Sequence, residues 1–281
     1  MEEKETMRST NPAFKRNEAF ARNGYATFDV ATPSAGQLQD QYGMPSPTRD
    51  RAMTIEDVVT RTGIMFAVLL ATAVPLFFGM ATGAVSMGLG LLLTFGGAIL
   101  GFVLAMVVSF SKTVRPPLML AYAALEGLFV GGISAFYAQA FTGSAYGGSL
   151  IPQAVLGTFA AFAAMLIAYR TGLIRATKRF RKILTIAVIG YIAVGLVNLV
   201  IVLFGGSSLF FDSGLLGVGL SLIGVTLASL FLVLDFDFVE QGIRNRLPEQ
   251  FAWSAAFGLV VTLVWLYLEM LRLLAILRGS N

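Results

Sequence analysis

From residue 62 to residue 111 the chain carries no Asp, Glu, Lys or Arg. Five more uncharged runs follow, at 116–125, 127–169, 183–211, 213–234 and 250–268. Such runs are apolar on every face. A soluble core helix keeps a polar face toward water, and a barrel strand alternates. These runs do neither, and they read as transmembrane helices of about 20 residues each. The sequence divides into seven spans, at about 63–82, 87–110, 118–138, 152–169, 183–204, 214–239 and 251–277. The expected class is therefore an all-α, multi-pass membrane protein with the lipid bilayer as its partner. Composition agrees: 56% of the 281 residues are hydrophobic and only 13% are charged, against roughly 25% charged in soluble domains. That balance speaks against a nucleic-acid-binding protein and an ordinary cytosolic enzyme. Cys and His are both absent, which excludes disulfides, thiolate nucleophiles, zinc fingers and imidazole proton shuttles.

The remaining charge is grouped. Lys112 and Arg115 follow span two, Arg170 to Lys182 follow span four, and Arg244 and Arg246 follow span six. Arg49, Arg51 and Arg61 precede or open span one, while the loops after spans one, three and five hold no basic residue. By the positive-inside rule the N-terminus lies in the cytoplasm and the short tail after span seven outside. Residues 1–50 are polar, without an apolar period, and read as a disordered cytoplasmic tail preceding a membrane domain at 51–281. Thr54 and Asp57 have the spacing of a helix capping box. Pro116 and Pro117 suit a helix start, and Pro75 falls inside span one. Gly97 with Gly101, and Gly127 with Gly131, are four apart, the spacing that lets helices approach closely in lipid.

Four carboxylates fall within the apolar segments or at their edges: Glu126, Asp235, Asp237 and Glu269. An ionised group at the bilayer centre costs about 2.5–3.5 kcal/mol on insertion scales. Protonation, an arginine or a bound cation would each relieve that cost. At 1.5 Å per residue, Glu126 and Asp235 fall roughly 12 Å and 7–8 Å from the cytoplasmic ends of their spans. They could share a site there and supply oxygen ligands to a hard cation such as Ca²⁺. Arg115 could snorkel to the same level as a latch. Glu269 lies toward the outer face with Arg272 three residues on, as a same-face partner. Asp235 and Asp237 are about 200° apart on one helix and cannot share a face. Asp235 could therefore pair with Glu126, Glu269 or Arg115.

With these residues in view, the chain resembles the transmembrane Bax inhibitor motif family (Bax inhibitor-1/YccA-like), in its bacterial branch. The similarity runs over about residues 54–277. It is carried by Ala121-Tyr122-Ala123-Ala124-Leu125-Glu126-Gly127 with Gly131-Gly132-Ile133-Ser134, by Ser229-Leu230-Phe231-Leu232-Val233-Leu234-Asp235, and by Leu266-Tyr267-Leu268-Glu269 with Leu271-Arg272-Leu273-Leu274. The resemblance implies seven helices, six around a central one, and a pH-dependent calcium leak in the bacterial inner membrane. The leak would be controlled by two carboxylates near the cytoplasmic side. Asp235 resembles the family's span-six aspartate, and Arg115 sits close to an arginine said to engage it. The position matching the partner aspartate on the last span is Thr262, so that pair is incomplete in this chain.

Three functions compete. The first is a pH-sensing calcium or cation leak, with Asp235 as switch, Glu126, Glu269 and Asp237 as further carboxylates, and Arg115 as latch. The cation-ligating residues would be Asp235 and Glu126, with no cofactor beyond a transported or regulatory Ca²⁺. The second is a non-conducting regulator that takes up a membrane protein, such as a membrane protease, through its N-terminal tail. The third, an enzyme, is disfavoured: no HExxH, GxSxG or P-loop occurs, and the two close aspartates lie on one helix.

Overall fold

A computed structural model of the chain describes residues 51–143, 148–211 and 214–279; the tail read at residues 1–50 lies outside them. Seven α-helices follow one another: α1 (Ile55–Ala81), α2 (Met87–Phe110), α3 (Pro116–Thr142), α4 (Leu150–Arg170), α5 (Lys178–Leu203), α6 (Leu215–Arg244) and α7 (Phe251–Gly279). A 3-10 turn, Leu209–Phe211, precedes α6. All seven helices are long and apolar enough to cross a membrane.

The helix starts follow local chemistry. Thr54 caps α1 through a capping box: its hydroxyl accepts from the Asp57 amide at 3.2 Å, and the Asp57 carboxylate accepts from the Thr54 amide at 3.0 Å. Pro116 and Pro117 occupy the first turn of α3, where an amide has no helical partner to lose. Thr177 caps α5 by accepting from the Phe180 amide at 3.1 Å. Gly143 ends α3 in the left-handed region, at φ 62°.

The paired glycines of α3 are contact points. A Cβ on Gly127 would stand 2.2 Å from the Leu69 carbonyl oxygen, and one on Gly131 would stand 2.3 Å from that of Ala73. The α1 and α3 backbones therefore touch. Gly97 brings α2 onto the other side of α3, where a Cβ would stand 2.7 Å from the Leu125 carbonyl. In lipid such close approach replaces the hydrophobic drive that water would supply.

The last helix is lined by small and branched residues, including Ala252, Ala255, Ala256, Val260 and Leu266, all buried. It packs on α1, α3, α4 and α6. By contrast α2 and α5 turn most of their side chains outward, and Leu184 is the one buried residue of α5. Their exposed Ile, Leu, Val and Phe side chains suit a hydrocarbon surround.

Cross-bundle contacts define two ends. At the basic end Arg61 meets Glu249 at 2.5 Å, Tyr169 bonds Glu240, and Arg181 meets Asp237 at 2.7 Å. At the opposite end Arg278 reaches Ser149 and Gln153. The segment leading into α1 is strapped to the α6–α7 loop at the basic end. The Met53 amide donates to the Leu247 carbonyl and the Glu249 amide to the Arg51 carbonyl, both at 2.8 Å.

Candidate functional site

Asp235 projects from the basic-end half of α6 toward α7. Its Oδ1 lies 3.6 Å from where a Cβ on Gly258 would stand, and Thr262, one turn further along α7, borders the carboxyl. The other oxygen, Oδ2, is buried and has no hydrogen-bond partner. A buried carboxylate oxygen without a partner forfeits its hydration with no return, so it calls for a proton, a cation or water. Thr262 stands where the family resemblance expects a second aspartate. A hydroxyl there can donate to Asp235 but brings no second negative charge. Thr62, in the first third of α1, has the other side-chain oxygen that is buried and unpartnered among the described residues.

Glu126 takes a different position. Gly101 of α2 lies against it, a Cβ there being 3.3 Å from Oε2, and Tyr122, one turn back on α3, borders the carboxyl. The Tyr122 ring meets Phe257 edge-on at 5.0 Å. Glu126 thus faces α2 while Asp235 faces α7, and no hydrogen bond links them among the described residues. Arg115 is exposed at the start of α3, where its Nε donates to the Thr113 hydroxyl at 3.2 Å. It forms no ion pair with Asp235 in this arrangement.

Asp237 faces away from Asp235, as its spacing requires. Arg181 of α5 and Gln241 donate to its Oδ2 at 2.7 and 2.5 Å, so it ties α5 to α6.

Glu269 lies in the opposite half of the bundle, in a satisfied polar cluster. It pairs with Arg272, and accepts from the Tyr191 hydroxyl at 2.9 Å and the Trp265 indole at 3.0 Å. Arg272 also donates to the Ser221 hydroxyl at 3.0 Å, and its guanidinium lies 4.6 Å from the Phe210 ring centre. Gly224 makes room for the cluster, since a Cβ there would stand 2.4 Å from Glu269 Oε2. The sequence pointed to Glu269 and Arg272 but not to Tyr191, Ser221 or Gly224. Their only signal is that polar or small residues interrupt apolar runs, which many membrane helices show.

The chemistry available at Asp235 is uptake of a proton or a cation. Among the described residues no three Asp or Glu side chains converge on a metal-sized site. A cation at Asp235 would rely on one carboxylate, nearby hydroxyls and its own water. No individual curated protein matches the chain. The family model described as Bax inhibitor 1 like matches residues 11–279, and with seven apolar helices in place the chain belongs to the Bax inhibitor 1-like family.

Proposed function

We propose that this protein is a pH-sensitive cation leak, passing calcium across a bacterial cytoplasmic membrane, with Asp235 as the titrating group. The unpartnered Oδ2 of Asp235 carries the reading. It is a buried acceptor at the joint of two packed helices, and it would change charge when protonated. The α6–α7 contact responds to that charge, because an ionised Asp235 needs solvation that a neutral one does not. Protonation then alters how closely α7 can sit, and with it the path for a hydrated cation. By the positive-inside rule the basic end is cytoplasmic, so the site meets the cytosolic pH. Calcium efflux from proteoliposomes, measured at several pH values, should lose its pH dependence in Asp235→Asn. An unchanged pH profile in that variant refutes the reading.

The strap between 51–53 and the α6–α7 loop supports a second reading. Arg51 and Met53 are hydrogen-bonded to the α6–α7 loop, so a membrane-protein partner that takes up the N-terminal tail would act through that strap, as a regulator without any ion flux. Deleting residues 1–50 should then abolish that regulation while leaving calcium flux unchanged.

A further inference from the structure

We propose that the cleft between α5 and α6 at the basic end binds the headgroup of an anionic phospholipid. The cleft is open to its surroundings, with a volume of about 700 Å³, and is lined by Lys178, Arg181, Lys182, Thr185 and Ile186 of α5 and Gln241 of α6. Residues 178, 181, 182 and 185 follow the i, i+3, i+4, i+7 spacing, which puts them on one stripe of the helix.

Charge complementarity defines the occupant. No acidic residue occurs between 170 and 211. The acids opposite, on α6, are already engaged: Asp237 with Arg181 and Gln241, and Glu240 with Tyr169 and Arg244. No ion pair holds Lys178 or Lys182 among the described residues. The Arg181–Asp237 pair cancels itself, so the two ammonium groups of Lys178 and Lys182 leave the cleft with net positive charge, an arrangement that attracts a phosphodiester. The positive-inside rule accounts for basic residues in this loop. It does not account for three of them on one stripe facing a cleft.

The wall nearest the membrane distinguishes a lipid from a free anion. Ile186 lines the cleft, and Ile183, Ile186 and Ile189 are exposed at 68%, 60% and 61%. A headgroup at Lys178 and Lys182 would therefore have its acyl chains against the outward isoleucines of α5, one to two turns deeper. An amphipathic ligand satisfies both halves of the surface, whereas inorganic phosphate satisfies one.

The test uses the full chain, purified and delipidated in mild detergent, with bound lipid counted by native mass spectrometry. Dioleoyl phosphatidylglycerol should bind well below the concentration at which dioleoyl phosphatidylcholine does. Lys178→Gln with Lys182→Gln should weaken phosphatidylglycerol binding by roughly tenfold or more, as expected for two basic residues at an anionic phosphate. The charge-matched pair Arg175→Gln with Arg179→Gln, outside the cleft lining, should change it by less than about threefold. Excess inorganic phosphate should leave the lipid bound. Equal loss in the two double variants would make the effect diffuse charge and overturn the proposal. So would equal binding of phosphatidylcholine, or displacement of the lipid by phosphate.

Discussion

The Glu269–Arg272 pair allows a quantitative test of how the far half of the bundle is held together. Its side chains are only 6% and 13% exposed, so neither charge has water to fall back on. Arg272→Met leaves Glu269 charged and buried, with the Tyr191 and Trp265 donors still in place. Breaking a buried pair from one side costs roughly 3–5 kcal/mol, and the two retained donors put this variant near the lower end, about 3 kcal/mol. Glu269→Gln strands Arg272 in the same way, with Ser221, Tyr191 and the Phe210 ring remaining, and should cost about the same. The double variant buries no charge and should cost only about 2 kcal/mol, since neutral replacement of a buried pair is well tolerated. The cycle then yields a coupling of about 4 kcal/mol, high for adjacent residues because both partners are desolvated. Unfolding in mixed micelles can be followed by the fluorescence of Trp265, which donates to Glu269, in a Trp253→Phe background. Single variants within 1 kcal/mol of the parent, or additive costs in the double, would refute the argument.

Gly131→Ala should destabilise the protein by about 1–3 kcal/mol through overpacking, because the new methyl meets the Ala73 backbone. Gly63→Ala, with nothing within 4 Å, should be neutral in the same unfolding assay. Thr262→Asp places a second carboxyl beside Asp235 and should give calcium a hold there. Calcium should then raise the melting temperature, as any ligand of the native state does, and adding Asp235→Asn should remove the rise. Arg61→Met removes the contact to Glu249 and the stack over Trp253 at 5.7 Å. With Glu249 partly in solvent its cost should be about 1–2 kcal/mol, accompanied by faster proteolysis in the 245–250 loop.

The uncharged runs locate the helices because charge cannot stay in hydrocarbon, and all seven appear where the runs are. The ends differ for the same reason. The first run suggests a helix from about 63, yet α1 begins at Ile55. The sixth span is expected to end at about 239, yet α6 continues to Arg244. Absence of charge marks the immersed stretch, while the helix continues through a polar zone where Asp57, Glu240 and Arg244 have water or partners. The capping box was readable because its bonds span three residues. The contact of Gly127 and Gly131 with α1 needed the structure: spacing alone does not distinguish a contact from the general frequency of glycine in membrane helices.

The candidate site was readable one residue at a time but not as a set. Depth arithmetic put Glu126 and Asp235 at similar levels, and depth fixes only one of three coordinates. The azimuth comes from packing: Gly101 draws Glu126 toward α2, and Gly258 with Thr262 draws Asp235 onto α7. The spacing of Asp235 and Asp237 did fix an azimuth, because both lie on one helix. The structure accordingly sends one to α7 and the other to Arg181. A single acid flanked by a threonine differs physically from a carboxylate pair. Two close carboxylates cannot both ionise without a cation between them, so a pair couples proton and calcium directly. Asp235 with Thr262 lacks that repulsion and can take up a proton without a second acid. Acidification should therefore act on this protein even without calcium, and the Thr262→Asp variant should make the two ligands compete. If the pH profile of the parent shifts with calcium as strongly as that of the variant, the lone-acid account of Asp235 is wrong.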